Sequence, residues 1–371
     1  MLRIAFRTSI FTAKRPYATV SSSFVNKIGT PPPPPPPSTR DIKLPSRPLS
    51  HLDKLILDSL PRTAAQTKYT LFDLLGQYIT NAGRVLNTTL SYESRPSAAR
   101  RVPIDDEEGV ILVANCIKDV RTGEHEVTVS SGFALEVPTH TEGESVVVTC
   151  AHTLEQIRRS PFLLKHQQTP PKERSADVLS GMFVITGKST PVFYPVRSIS
   201  SALPRSDILL LTCEQLPVRT FPISPYPVHP HTPIRVHLLS HEQPPEELPS
   251  GAWKDGIGGT WRRWGRGEVK GYRDFAGRES QPGTYDALSH MLFAPLPTAG
   301  SSGGPIVDEE SGAVVGVALG TRMDNRIEGT RGWGVPSECI FEVSSSRSLL
   351  VIRHDNFGLQ MFSLPGLEGK M

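Results

Sequence analysis

From residue 109 onward the chain repeats one pattern: a short run rich in apolar and β-branched residues, a polar turn, then another run. The runs cover residues 110–116, 127–137, 145–149, 181–186, 192–199 and 208–212, and after an interval 233–239, 267–272, 288–294, 305–307, 313–319 and 332–335. Six strands followed by six at this spacing predict an all-β protein, either a sandwich or barrels. Two six-stranded antiparallel β-barrels are the expected architecture, one over about 109–225 and one over about 230–345.

The first 108 residues read differently. Residues 31–37 are seven prolines in a row, a polyproline II spacer that joins no packed core. Residues 51–90 have helical spacing, with Leu52, Leu55 and Ile56, then Leu71, Leu74, Leu75, Tyr78, Ile79, Ala82, Val85 and Leu86. This predicts two amphipathic helices broken at Pro61, which dock on the β domain, self-associate or lie on a membrane surface; docking is the default expectation. The expected organisation is thus a leader over 1–17, a linker with helices over 18–108, the β domain over 109–345 and a tail over 346–371. Within the tail, residues 349–352 either add a strand or stay loose.

Charge is distributed unevenly. The chain of 371 residues carries +3, yet Arg3, Arg7, Lys14, Arg15, Lys27 and Arg40 put +6 on the first 40 residues, which contain no acid. The remainder is 34 basic against 37 acidic residues, too balanced to suggest a nucleic-acid partner. An Arg-rich, Ser/Thr-rich, acid-free start interleaved with Leu2, Ile4, Phe6, Ile10 and Phe11 is the composition of a mitochondrial presequence, with Arg15-Pro16-Tyr17-Ala18 suggesting cleavage after Tyr17. A disordered basic arm outside mitochondria is the alternative. No run of 18 apolar residues occurs, so no transmembrane helix is expected.

Chemistry concentrates in three places. Residues 298–307 read Thr-Ala-Gly-Ser-Ser-Gly-Gly-Pro-Ile-Val, where small residues free the backbone to aim successive amides at one point. Ser302 is the candidate nucleophile, with the N–H groups of Gly300 and Ser302 as the oxyanion donors; an ordinary strand-to-strand turn reads the same in isolation. Val146-Val147-Val148-Thr149-Cys150-Ala151-His152 is a buried strand ending at an imidazole. Ser206-Asp207 stands directly before the apolar run Ile208-Leu209-Leu210-Leu211, which places a carboxylate at the edge of the interior, where it needs a partner. His152, Asp207 and Ser302 come in the order His, Asp, Ser, 55 and then 95 residues apart.

On these motifs the chain resembles the trypsin/chymotrypsin-like serine proteases over about residues 109–343. Thr-Cys-Ala-His is similar to that family's Thr-Ala-Ala-His, Ser-Asp-Ile-Leu-Leu-Leu to its Asp-Ile-Ala-Leu-Leu, and Gly-Ser-Ser-Gly-Gly-Pro to its Gly-Asp-Ser-Gly-Gly-Pro. Ser131-Gly132-Phe133, Gly332-Trp333-Gly334-Val335-Pro336 and Ser301 before the serine resemble the HtrA/Deg branch. The 35 residues after Pro336 are too few for that branch's PDZ domain. The resemblance implies a serine endopeptidase acting on protein or peptide substrates through His152, Asp207 and Ser302, or an inactive trypsin-like scaffold. It places Leu296, Ala318, Leu319 and Gly320 around the substrate pocket, none of them acidic, which implies an apolar rather than a basic preference. It also sets Ala318 where digestive relatives have a serine bonded to the aspartate, so another group must orient Asp207 here. Thr153 replaces the cysteine that usually follows the histidine in secreted members, and Cys116, Cys150, Cys213 and Cys339 are expected to be free thiols.

No cofactor is implied. His229, His231, His237 and His241 cluster among prolines without acidic or cysteine partners at a ligand spacing, so no metal is expected there. Residues 253–278 mix Trp253, Trp261, Trp264 and Tyr272 with seven cationic side chains and are expected to form an exposed loop leading into the second barrel rather than a nucleic-acid site.

Overall fold

The computed structural model describes residues 49–66, 69–84, 90–104, 109–137, 143–167, 178–188, 190–244, 252–274, 276–281 and 290–342. The expected presequence, the proline run, Val85, Leu86 and the tail beyond 342 lie outside the described residues.

Helix α1 runs His51–Gln66 and α2 runs Leu71–Thr80. Pro61 sits inside α1 rather than ending it. The missing N–H removes one backbone bond, but Leu57 and Leu60 before it continue the buried stripe begun by Leu52 and Ile56, and tertiary packing holds the turn. Each helix is started by its own cap. Ser50 and Asp53 exchange hydrogen bonds at the head of α1, and Thr70 and Asp73 form a capping box at the head of α2. Helical geometry stops at Thr80, so Ala82, expected to continue it, instead forms a bridge with Ala202.

The first barrel comprises β1 (Val110–Asp119), β2 (His125–Leu135), β3 (Glu144–Cys150), β4 (Val178–Thr186), β5 (Val192–Leu203) and β6 (Ile208–Glu214). Between β3 and β4 come two short helices, α3 (His152–Arg158) and α4 (Pro161–Gln167). The strands pair in the order β1-β4-β5-β6-β3-β2, and β1 pairs with β2 to close the ring. A two-residue strand β7 (Thr220–Phe221) adds in parallel to β2. The second barrel uses β8 (Pro233–Ser240), β10 (Trp261–Arg273), β12 (His290–Ala294), β13 (Pro305–Asp308), β14 (Val314–Asn325) and β15 (Gly329–Pro336), closed by the pairing of β10 with β8. Short β9 (Lys254–Asp255) and β11 (Glu279–Ser280) extend β10, and α5 (Glu338–Glu342) follows β15. Both rings hold six antiparallel strands, and every expected run supplies one of them.

The aromatic and basic stretch from 253 to 278 is mostly strand, not loop, because its alternation feeds the two faces of β10. Trp264 is buried between the barrels, Arg263 stacks on Trp253 at 4.8 Å, and Arg266 and Arg273 pair with Glu309 and Asp324. Arg263, Arg266 and Arg273 are thereby partnered within the domain.

Burial explains why β1 is apolar on both faces. Ile111, Val113 and Ile117 join Val147, Val184 and Leu211 in one cluster with Leu71, Leu74 and Tyr78 of α2, while Leu112, Ala114 and Cys116 pack beneath Leu52, Ile56 and Leu60 of α1. The N-terminal helices are therefore docked on the first barrel. Hydrogen bonds lock the end of α2 to β5: Asn81 Nδ2 donates to the Ile199 carbonyl at 2.6 Å, and the Ile199 amide donates to Gln77 Oε1 at 2.9 Å. A third cluster, with Phe133, Val148, Cys150, Ile208 and Leu210 on one side and Trp264, Val317, Leu319 and Val335 on the other, joins the two barrels. Ile56→Ala and Leu74→Ala should each lower unfolding free energy by about 2–4 kcal/mol in urea titrations, whereas Ile79→Ala, at a residue 62% exposed, should change it by less than about 0.5 kcal/mol.

Candidate active site

Strand register creates the site. β3 runs antiparallel to β6 with Cys150 opposite Ile208, so the residue before β6 and the residues after β3 must meet. Asp207 takes a left-handed conformation, φ 54°, that turns its carboxylate toward the head of α3. Its Oδ1 accepts the amides of Ala151 at 3.0 Å and His152 at 2.7 Å, and its Oδ2 accepts from His152 Nδ1 at 2.5 Å. Those two amides are the group that orients the aspartate, a role the sequence left unassigned. With the ring proton held on Nδ1, Nε2 is left as the basic nitrogen. Burial of the ring works against its charge, and the Asp207 carboxylate overrides it with a further contribution from Cys150: the imidazole is pushed up to about 10.

The loop before β13 is tied from both barrels. The Ser131 amide donates to the Ser302 carbonyl at 2.8 Å, Ser131 Oγ donates to the Gly300 carbonyl at 2.8 Å, and Thr149 Oγ1 holds the Ser131 carbonyl at 2.8 Å. From the second barrel, the Gly303 amide donates to the Ala318 carbonyl at 2.7 Å, and the buried Ser301 hydroxyl accepts the Leu239 amide at 2.9 Å. Thr298 completes the turn by bonding both Ser301 Oγ and the Leu239 carbonyl. Ser131 and Thr149 were not singled out by residue type; the Ser-Gly dipeptide at 131–132 was the only trace of this clamp.

Glycine is required at two points. A Cβ on Gly303, φ +84°, would lie 2.2 Å from the Ser131 carbonyl oxygen. One on Gly300, φ +93°, would lie 2.8 Å from Leu239 and 2.9 Å from His241 Nε2. With the loop drawn this way, the amides of Gly300 and Ser302 have no acceptor among the described residues.

His152 and Asp207 are thus in direct contact, and Ser302 is fixed against the same strand end. The serine–imidazole bond is not made. Ser302 Oγ donates to the Leu319 carbonyl at 2.8 Å, and the sulfur of Cys150 stands 3.7 Å from His152 Nε2. The expected pocket residues do not converge. Leu296 is 49% exposed, Ala318 is buried in the core of the second barrel, and Leu319 packs its side chain between the barrels, so that of these residues only the Leu319 carbonyl meets Ser302. An open cleft of about 420 Å³ lies beside His152 and Asp207, lined also by Tyr78, Glu155, Gln156, Arg159 and Pro204. Tyr78 of α2 and Glu155 of α3 line it together, which brings the N-terminal extension beside the helix that carries His152.

The histidine cluster disperses on folding. His237 is buried edge-on to Trp264, where desolvation and the nearby Arg262 charge push it down to about 3, while His231 sits at the surface beside Glu268 at 3.5 Å. All four cysteines are free and buried. Gly303→Ala should cost more than about 2 kcal/mol of stability in urea titration, while Gly76→Ala, in the middle of α2 with open space around it, should gain about 0.5–1 kcal/mol.

Residues 130–317, a little over half of the chain, match the trypsin-like peptidase domain. No similar sequence is found among curated proteins. Among solved structures, the active form of the Rv3671c protease from M. tuberculosis aligns at 17% identity with a TM-score of 0.38, covering 67% of this chain and 86% of its own. The MamO protease domain from Magnetospirillum magneticum aligns at 14% identity with a TM-score of 0.35, covering 63% and 95%. The HtrA-type protease AlgW with a decapeptide aligns at 14% identity with a TM-score of 0.34, covering 75% and 67%. On the domain match and the two closed six-stranded barrels, the chain belongs to the trypsin-like peptidase family.

Proposed function

We propose that the protein is a serine endopeptidase that cleaves protein or peptide substrates through an acyl-enzyme intermediate. The observation that carries this reading is the Asp207–His152 bond at 2.5 Å, which leaves Nε2 basic beside a loop that presents Ser302 and two amides without acceptors. Ser302 Oγ, released from Leu319, attacks the scissile carbonyl while His152 takes its proton. Asp207 holds the imidazole orientation and stabilises the imidazolium, and the Gly300 and Ser302 amides take the oxyanion. His152 then protonates the leaving amine, and water repeats the sequence to release the acid.

None of Leu296, Ala318, Leu319 and Gly320, the positions that the resemblance sets around the substrate pocket, is acidic, and that motif argument supports cleavage after a residue that is not basic. The acid-free start with its Arg15-Pro16-Tyr17-Ala18 segment supports import into mitochondria, in which case the mature protein isolated from that fraction begins near Ala18; recovery of the intact start from the cytosol would contradict it. A second reading, a trypsin-like scaffold without turnover, is favoured by one contact: the Ser302 hydroxyl is bonded to Leu319 and not to His152.

Hydrolysis of a peptide library by the purified protein separates these readings. Ser302→Ala should abolish cleavage while leaving the urea midpoint within the range of ordinary surface substitutions, and an unchanged rate in this variant would overturn the serine mechanism. The pH dependence follows from the sign of the His152 shift. Because the base must be neutral and its pKa is raised, kcat/KM should still be rising with pH above neutrality, with its acid limb above the usual imidazole range. Asp207→Asn should lower kcat by about 10⁴-fold.

A further inference from the structure

Cys150 is the last residue of β3 and is fully buried at the seam between the barrels, with Val148, Ile208, Val317 and Leu319 in the same cluster. Packing alone asks for no sulfur there, since any small apolar side chain fills such a site. The sulfur is nonetheless placed against two polar groups, His152 Nε2 at 3.7 Å and Thr153 Oγ1 at 3.8 Å. Nδ1 is committed to Asp207, so the thiol stands at the one ring nitrogen that is able to receive a proton. Ser302, which needs that same nitrogen, has its hydroxyl turned to Leu319.

The geometry points to Cys150 as a positioning residue that occupies His152 Nε2 in the resting protein and that Ser302 must displace before it reacts. This rests on the reading that Ser302 and His152 act together. The other charged or titratable groups around the ring come from each neighbouring element: Asp207 ahead of β6, Glu155, Arg158 and Arg159 on or beside α3, Tyr78 on α2, and His290 on β12. Among the described residues, only Asp207 and Cys150 bond the ring nitrogens. When the ring is charged, Nε2–H donates to the sulfur of Cys150, which favours the charged imidazole, so removal of the sulfur lowers the proton affinity of His152 as well as freeing the nitrogen.

The test follows the His152 ring itself, in the full chain, by NMR titration of isotope-labelled histidine in wild type, Cys150→Ala, Cys150→Val and Cys150→Ser. Alanine and valine both remove the sulfur, one leaving a small void and the other filling it, so a folding defect in one does not disable the comparison. The expected result is a His152 midpoint about one unit lower in both, with serine, whose hydroxyl also bonds Nε2, retaining at least half of the difference. Wherever wild type hydrolyses peptide, a shift of one unit should raise kcat near neutral pH by up to about tenfold, with KM unchanged. A His152 midpoint in the alanine or valine variant within about 0.2 unit of wild type would overturn the inference, as would a serine variant that behaves like alanine. Should no variant hydrolyse any peptide, the endopeptidase reading fails, and the His152 titration still decides whether Cys150 holds the ring.

Discussion

Everything at this centre depends on the antiparallel register of β3 with β6. Because Cys150 faces Ile208, the backbone of Ala151 and His152 has no choice but to pass the carboxylate of Asp207, and the two amides at the head of α3 accept the role of fixing it. A carboxylate at the edge of an apolar barrel is costly without partners, and here it has three donors. The same contact sets the ring of His152, its tautomer and its raised basicity. One strand pairing therefore sets both the position of the His152 ring and its raised proton affinity.

The second barrel contributes the other half by the same means. The loop carrying Ser302 is held by backbone bonds to β14, by the Ser301 hydroxyl to β8, and by Ser131 from across the seam. Because its turns are closed by internal bonds, the Gly300 and Ser302 amides are left without acceptors among the described residues. The seam itself is apolar, with Phe133, Trp264, Val317 and Leu319 at its centre, so the two halves of the site are held in place by burial rather than by charge.

Much of this was legible because short apolar, β-branched runs bounded by polar turns mark strands regardless of context. All six strands of each barrel fall on such runs, and His152, Asp207 and Ser302 stand at strand ends, where polar residues interrupt an apolar pattern. What was not legible depended on tertiary packing. Pro61 reads as a helix break because local sequence carries no record of the groove in which Leu57 and Leu60 are buried. The stretch from Trp261 to Arg273 reads as an exposed basic loop because its partners, Glu309 and Asp324, are far away in sequence. Leu296 and Ala318 were assigned to a pocket by position in a motif, and the direction each side chain takes is set by a turn and a bulge that leave no compositional mark. Backbone donors, as at Ala151, are invisible to any reading of side-chain types.

In the proposed mechanism Ser302 is a nucleophile activated by His152 and Asp207. Its most direct measurement is labelling of the purified protein with a fluorophosphonate, followed by mass mapping of the modified peptide. One adduct per chain is expected, located on Ser302 and lost in His152→Ala. Absence of an adduct across the range from pH 6 to about 10, a span that brackets the ordinary and raised imidazole values, would contradict it, as would an adduct on any other residue.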